Sequence, residues 1–131
     1  MLKGSVVAGA LDIQERTMAY ALRAIRLFQH LTSRKEGVAW IVGKQFLRSA
    51  TSIGANLVEA QAGESRADFI HKCSITQKEA RESACWLTLM VRSDLVPETK
   101  VSPLLAETSE IVAILTAILV NTKKNGKGVR S

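Results

Sequence analysis

Apolar residues recur every three or four positions through most of the chain, which is the spacing of one face of an α-helix. The first such segment runs from about Ile13 to Thr32 and opens with a capping-box-like pair, Asp12 and Glu15. Its apolar stripe consists of Thr17, Tyr20, Ala21, Ala24, Leu27, Phe28 and Leu31. The pattern predicts a first helix with one buried face, followed by a turn near Gly37.

Two further segments repeat this pattern on either side of Gly63. The first is predicted as a helix from about Val38 to Ala62, with the stripe Phe46, Ala50, Ile53, Leu57 and Ala60. The second starts with Ser65 as the cap, three residues before Asp68, and reaches about Ser93. Its stripe is Phe69, Cys73, Thr76, Ala80, Ser83, Leu87 and Met90. Because Gly63 ends the second helix, these two helices are predicted to form a hairpin.

A fourth helix is predicted to start with Ser102 as cap and Pro103 at the first helical position, and to end near Lys123. Between Ile111 and Val120 it is apolar on nearly every side. A bundle helix normally keeps one face in water, so a second apolar face indicates a further cover. A second copy of the chain is the simplest cover, and we therefore predict a homo-oligomer.

These elements predict an all-α protein, an up-down-up-down antiparallel four-helix bundle. Its 131 residues suffice for one domain, and low proline and aromatic contents agree with helices. We assign residues 1–11 to a flexible N-terminal arm, 12–124 to the bundle domain and 125–131 to a basic disordered tail.

Membrane insertion and secretion are not predicted. The longest apolar run, from Ile111 to Val120, is about half as long as a bilayer-spanning helix. The N-terminus is too short and glycine-broken for a signal peptide. Cys73 and Cys85 fall on one predicted helix about 18 Å apart, too far for a disulfide. The chain is therefore predicted to be cytoplasmic, with both cysteines as core thiols.

The net charge of +6 is unevenly distributed. Residues 16–48 carry +6, residues 59–120 carry −3 and residues 121–131 carry +4. The candidate phosphate-contacting residues are Arg16, Arg23, Arg26, Arg34, Lys44, Lys123, Lys124, Lys127 and Arg130, with His30 on the same side of the first helix. Basic patches of this kind bind RNA or DNA by releasing counterions. A solvated helix face with a solubilising tail is an equal alternative.

A second candidate is a stripe of polar residues on the second helix: Gln45, Arg48, Ser52, Asn56 and Glu59. In the predicted hairpin, Arg48 falls opposite Glu79, Gln45 opposite Glu82, Ser52 opposite Ile75 and Asn56 opposite His71. The stripe could form a binding site, but we favour a structural polar network in which Arg48 and Glu79 hold the two helices in register.

No pattern predicts catalysis. A di-metal bundle requires two Glu-x-x-His pairs, whereas only Asp68-x-x-His71 comes near that motif. Neither a P-loop nor a G-x-G-x-x-G motif is present. We therefore predict no catalytic residues, no metal, no cofactor and no small-molecule substrate. An enzyme that uses Glu59 or Glu79 is the least favoured alternative.

The stretch from Arg48 to Leu87 resembles the signature of the four-helix bundle family encoded within intervening sequences of bacterial 23S rRNA genes. The matching positions are Arg48, Ala50, Ser52, Ile53, Ala55, Asn56, Glu59, Ser65, Asp68, Phe69, Glu79 and Glu82. The resemblance extends over about residues 12–124. It implies a bundle that assembles as a homopentamer and has no enzymatic activity.

A related branch of this family comprises the accessory variability determinants of diversity-generating retroelements. Resemblance to this branch would imply a basic pentamer that binds nucleic acid and a reverse transcriptase. Residues 1–120 of this chain sum to only +2, which departs from that branch. The resulting hypothesis is a non-enzymatic oligomer that binds nucleic acid weakly through phosphate contacts. The alternative is a protein-interaction scaffold for another protein, without a nucleic-acid role.

Overall fold

The computed structural model describes residues 8–32 and 35–130, with side chains for 13–32 and 35–125. Most of these residues lie in four helices, and no described residue lies in a strand. The helices are α1 (Ala8–Leu31), α2 (Gly37–Gln61), α3 (Arg66–Arg92) and α4 (Glu98–Arg130). Each packs against the next, and α1 also contacts α4. The prediction of an all-α four-helix bundle is confirmed.

One face of each helix forms the core, at the positions that the periodicity indicates. The whole predicted stripe of α2 is buried, as is that of α3 apart from the half-buried Phe69. α1 contributes Ile13, Thr17, Tyr20, Ala24 and Leu27, and α4 contributes Val101, Leu104, Thr108, Ile111, Leu115 and Leu119. Burial of this apolar surface is the main driving force for the association of the four helices.

Hydroxyl groups within the core are satisfied by one another and by helix carbonyls. Thr108 donates its single hydrogen to the Leu104 carbonyl at 2.7 Å, so the Tyr20 hydroxyl, 2.7 Å away, donates to Thr108. Burial raises the pKa of Tyr20, which keeps this phenol protonated. Ser83 donates to Ser49 at 2.9 Å in the same way. These bonds add directional links between α1 and α4 and between α2 and α3.

Two glycines of α2 face α1, and one of them lies at a close approach of the two helices. A Cβ atom at Gly43 would lie 3.0 Å from Cδ1 of Phe28, whose ring centroid is 5.5 Å from that of Trp40. A Cβ atom at Gly54 would lie 3.5 Å from Oγ1 of Thr17, which is an ordinary contact. Only the first site therefore requires the absence of a side chain.

The predicted start of the fourth helix was wrong. α4 begins at Glu98, directly after Pro97, and Pro103 lies inside it. A start at Glu98 brings the fully buried Val101 onto the same helix face as Leu104. The hydrophobic contacts of this turn therefore outweigh the capping preference of Ser102. By contrast, Ser65 caps α3 as predicted, since its Oγ accepts a hydrogen bond from the Asp68 N–H at 3.1 Å.

The helical backbone also extends into both predicted terminal segments. α1 begins at Ala8, within the predicted arm, and the first seven residues lie outside the described part. α4 continues to Arg130, through most of the predicted tail. Both cysteines are free, but Cys85 is exposed, so its prediction as a core thiol was wrong.

By length and composition alone, Glu98–Asn125 of α4 could cross a bilayer, the one such stretch among the described residues. The core helix of a soluble bundle passes the same test. In this structure the stretch places Ile111 and Leu115 fully inside the bundle. Its apolar composition is thus accounted for in part by the packing of α4.

The two glycines of the α1–α2 contact should respond differently to the same substitution. We expect Gly54→Ala to raise stability by up to about 1 kcal/mol, because alanine favours the helix and meets only ordinary contacts. Gly43→Ala should be less stable than Gly54→Ala by about 1–3 kcal/mol, because its Cβ displaces the Phe28 ring. Thermal and urea unfolding would measure both; equal stabilisation would contradict the close packing at Gly43.

Candidate nucleic-acid interface

A groove of about 320 Å³ lies between α1 and α4, and we call it the α1–α4 groove. It is lined by Arg23, Arg26, Leu27, His30, Lys100 and Leu104. The spacing of three and four residues brings the two arginines and His30 to one side of α1. The early start of α4 places Lys100 in its first turn, facing them.

The polar lining of the α1–α4 groove is entirely basic. Three cations and one histidine line it, and no carboxylate does. Within the described part of the chain, Arg23, Arg26, His30 and Lys100 make no hydrogen bond or ion pair through their side chains. Like charges held together repel one another, so an anion in the groove would lower the electrostatic energy.

The base of the groove is apolar. Leu27 is 9% exposed and Leu104 is 3% exposed, and both belong to the hydrophobic core. The cationic side chains stand around these leucines, with Arg23 half-buried and the others exposed. The groove therefore combines a basic rim with a small apolar base.

Arg16 lies two turns before Arg23 on α1, but its charge is already balanced. Its Nε donates to Oε2 of Glu107 at 2.9 Å, and its Nη2 donates to Oε1 at 2.7 Å. A bidentate arginine–carboxylate pair of this kind has defined geometry as well as favourable energy. Arg16 thus ties α1 to α4 beside the groove.

The remaining predicted basic residues lie elsewhere. Lys44 is on α2, with Nζ 5.0 Å from the centroid of the Trp40 ring. Lys123 and Lys124 are exposed on α4, about 34 Å along the helix axis from Lys100. Arg34 lies outside the described residues, as do the side chains of Lys127 and Arg130. The structure therefore gathers two of the nine predicted residues, Arg23 and Arg26, with His30 at one groove.

Sequence reasoning missed Lys100. The predicted helix started at Ser102, which left Lys100 in a loop with no assigned face. The signal was present, because Lys100 and Leu104 are four residues apart and Val101 continues the apolar stripe of the fourth helix. Extending the helix by one turn would have placed Lys100 on the fourth helix, one turn before Leu104.

The polar stripe of α2 forms contacts with α3. Arg48 Nη1 lies 3.4 Å from both carboxylate oxygens of Glu79, and Nη2 bonds to Glu82. The predicted Arg48–Glu79 pair is thus present in the structure. The Trp86 indole donates to Glu82 at 3.2 Å; this bond, followed by that from Arg48, lowers the pKa of the Glu82 carboxyl. Burial lowers the pKa of Arg48, but its bond to Glu82 and the two carboxylate charges raise it by more.

Other members of the stripe bond differently from the predicted register. Glu59 accepts a hydrogen bond from Lys72 at 2.9 Å. Ser52 donates to the Arg48 carbonyl and Asn56 to the Ser52 carbonyl, so both bond within α2 rather than across to α3. Gln45 is exposed, and Arg48 takes the place predicted for it beside Glu82. Of these contacts, Glu59–Lys72 and Arg48–Glu82 link α2 to α3.

Metal and thiol chemistry find little support in the described part of the chain. It contains no group of three or more His, Cys, Asp and Glu residues that could hold a metal ion. Cys73 is buried, and burial raises the pKa of its thiol. A raised pKa disfavours the thiolate, which is the reactive form of cysteine.

Comparisons with known proteins agree on one family. Residues 9–117 match the profile of the 23S rRNA-intervening sequence protein family. The chain is also similar to the crystal structure of a protein of unknown function from the S23 ribosomal protein family of Bacteroides thetaiotaomicron VPI-5482. Identity is 37%, the TM-score is 0.75, and the match covers 82% of this chain and 97% of the other. No curated protein sequence matches the chain.

The Arg48 contacts generate a prediction about stability. Arg48→Ala should lower the free energy of unfolding by about 1–2 kcal/mol, between the values for exposed and buried pairs, because Arg48 is half exposed while Glu79 is largely shielded. Urea unfolding near neutral pH would measure the loss. Arg66→Ala, at an exposed position at the start of α3, serves as the control. Equal stability of Arg48→Ala and wild type would contradict a stabilising role for the pair.

Proposed function

Since the chain belongs to the 23S rRNA-intervening sequence protein family, whose matched segment covers α1 to most of α4, we propose a binding function rather than a catalytic one. In this proposal the chain is a non-enzymatic, antiparallel up-down-up-down bundle that self-associates and contacts the phosphate groups of RNA or DNA. The α1–α4 groove is the primary contact, and Lys123 and Lys124 form a separate, weaker one.

One observation carries this proposal: Arg23, Arg26 and Lys100 converge on one groove whose lining includes no carboxylate. In the described bundle, Arg16, Arg48 and Lys72 each have a carboxylate partner, whereas other exposed basic residues, such as Arg66, share with the groove residues the lack of an ion pair but do not line this groove. Basic residues that serve only solubility need not cluster in a concave site. Their convergence without a counter-charge is the arrangement expected of an anion-binding surface.

The test is binding of a short labelled oligonucleotide, measured by fluorescence anisotropy over a range of salt concentrations. Three phosphate contacts should give a slope of log K against log salt of about −2 to −3, since each contact contributes about −0.7 to −0.9. Arg26→Gln should weaken binding and reduce the magnitude of the slope by about 1.

Arg66→Gln is the matched control, because it removes the same charge from an exposed arginine on α3, outside the groove. It should leave the slope nearly unchanged. Absence of binding at low ionic strength, or equal effects of the two substitutions, would refute phosphate recognition by this groove and favour the protein-scaffold alternative.

Self-association is the second part of the proposal, and a stripe of α1 supports it. Met18, Leu22 and Ile25 recur at four and three residues and are 59%, 47% and 37% exposed. Val120 is the one strongly exposed large hydrophobic residue of α4 within the described side chains, so α1 rather than α4 offers the larger uncovered apolar surface. A contiguous apolar patch on a helix surface commonly marks a protein interface. The family resemblance favours a pentamer.

Light scattering should give a mass well above 14.3 kDa for the wild-type chain. Leu22→Glu should reduce the mass, because association would bury the new carboxylate in an apolar contact. Leu89→Glu is a matched control, since Leu89 is equally exposed at 47% but lies on α3. A monomeric wild type would refute self-association, and dissociation by Leu89→Glu alone would move the interface to α3.

A further inference from the structure

The apolar base of the α1–α4 groove bears on which nucleic acid the groove can accept. We propose that the groove holds one unpaired nucleotide, with its phosphate at the basic rim and its base against Leu27 and Leu104, so that the chain prefers single strands to duplexes. This inference rests on the proposed function and specifies the ligand of the same site.

The size of the groove is the first observation that favours a nucleotide over a bare phosphate. A volume of about 320 Å³ lies at the lower end of the range of small-molecule pockets, about 300–1,000 Å³. A bare phosphate would contact the basic rim and leave the small accessible edges of Leu27 and Leu104, 9% and 3% exposed, in water. A nucleotide fills more of the groove and covers these apolar edges, which is favourable in addition to the charge contacts.

The arrangement of charge is the second observation that favours a nucleotide. Basic residues stand on both sides, with Arg23, Arg26 and His30 on α1 and Lys100 on α4. A guanidinium can bind a phosphate bidentately and can also stack on the plane of a base, whereas an ammonium acts as a point charge. The arginines of α1 can therefore contact both the phosphate and the base of a nucleotide, while Lys100 of α4 neutralises the phosphate from the other side.

The strand preference follows from what each ligand exposes. A duplex keeps its bases stacked inside and presents phosphates and groove edges, so it can use only the basic rim. A single strand can turn a base outward against apolar and arginine side chains. The base contact is thus available to the single strand alone.

The first experiment compares one oligonucleotide as a single strand and as a duplex, in matched salt. We expect tighter binding of the single strand by wild type. The double variant Arg23→Gln/Lys100→Gln should weaken single-strand binding by more than about tenfold, since the loss of one hydrogen bond to a charged group already has about that effect, and should reduce the preference for the single strand.

The control is Lys123→Gln/Lys124→Gln, which also removes two positive charges. These lie on α4 about 34 Å along the helix axis from Lys100. It should leave the ratio of single-strand to duplex affinity unchanged. Circular dichroism of both variants checks the fold. Equal effects of the two double variants would overturn the groove inference but leave general phosphate binding intact, whereas loss of all binding in wild type would overturn the proposed function.

The second experiment follows the methyl signals of Leu27 and Leu104 by NMR during titration with a mononucleotide, inorganic phosphate or an acidic peptide. The mononucleotide should shift both methyl signals, and inorganic phosphate should shift them much less. Equal shifts with phosphate would reduce the groove to a simple anion site. Shifts of these signals with the acidic peptide but not with the mononucleotide would assign the groove to a protein partner. Either outcome would overturn the inference.

Discussion

Closure of α1 against α4 is the constraint on which the candidate site depends. Among the described side chains, this seam contains the buried Tyr20–Thr108 hydrogen bond and the bidentate Arg16–Glu107 pair. Beyond Tyr20 the lining changes to basic residues, and the two helices leave an open groove between them. The same contacts that close the bundle at one level thus position Arg23 opposite Lys100 at the next. The position of the candidate site therefore follows from the positions of these two contacts between α1 and α4.

The opposite seam, between α2 and α3, is linked by polar contacts of its own. It contains the Ser49–Ser83 hydrogen bond inside the core and the Arg48 pairs with Glu79 and Glu82 at its edge. Most of the residues that identify the family lie on these two helices, and the contacts of the polar stripe are made within and between them. A motif can therefore be highly specific for a family because it fixes helix register, without marking a site for chemistry.

The basic residues are divided between the two helix–helix seams and the α1–α4 groove. Arg48 and Arg16 belong to helix–helix contacts, whereas Arg23, Arg26 and Lys100 face a groove without carboxylates. Lys123 and Lys124 lie far along α4 from that groove. The predicted basic residues thus include part of a compact groove and a distant basic end of α4. The exposed apolar stripe of α1 adds a third surface with different chemistry.

The sequence by itself determined the four helices apart from their exact ends, the buried faces of the first three and the family, because helical periodicity and the α2–α3 signature are local properties of the chain. It also predicted the Arg48–Glu79 pair, since a short hairpin leaves few registers. Only the tertiary structure decided that Arg16 is neutralised by Glu107, 91 positions away, and that Lys100 joins Arg23 and Arg26. Those contacts link the first and last helices, whose relative position depends on the packing of all four. Local patterns specify the faces of helices, but the meeting of distant faces is decided by the packed core.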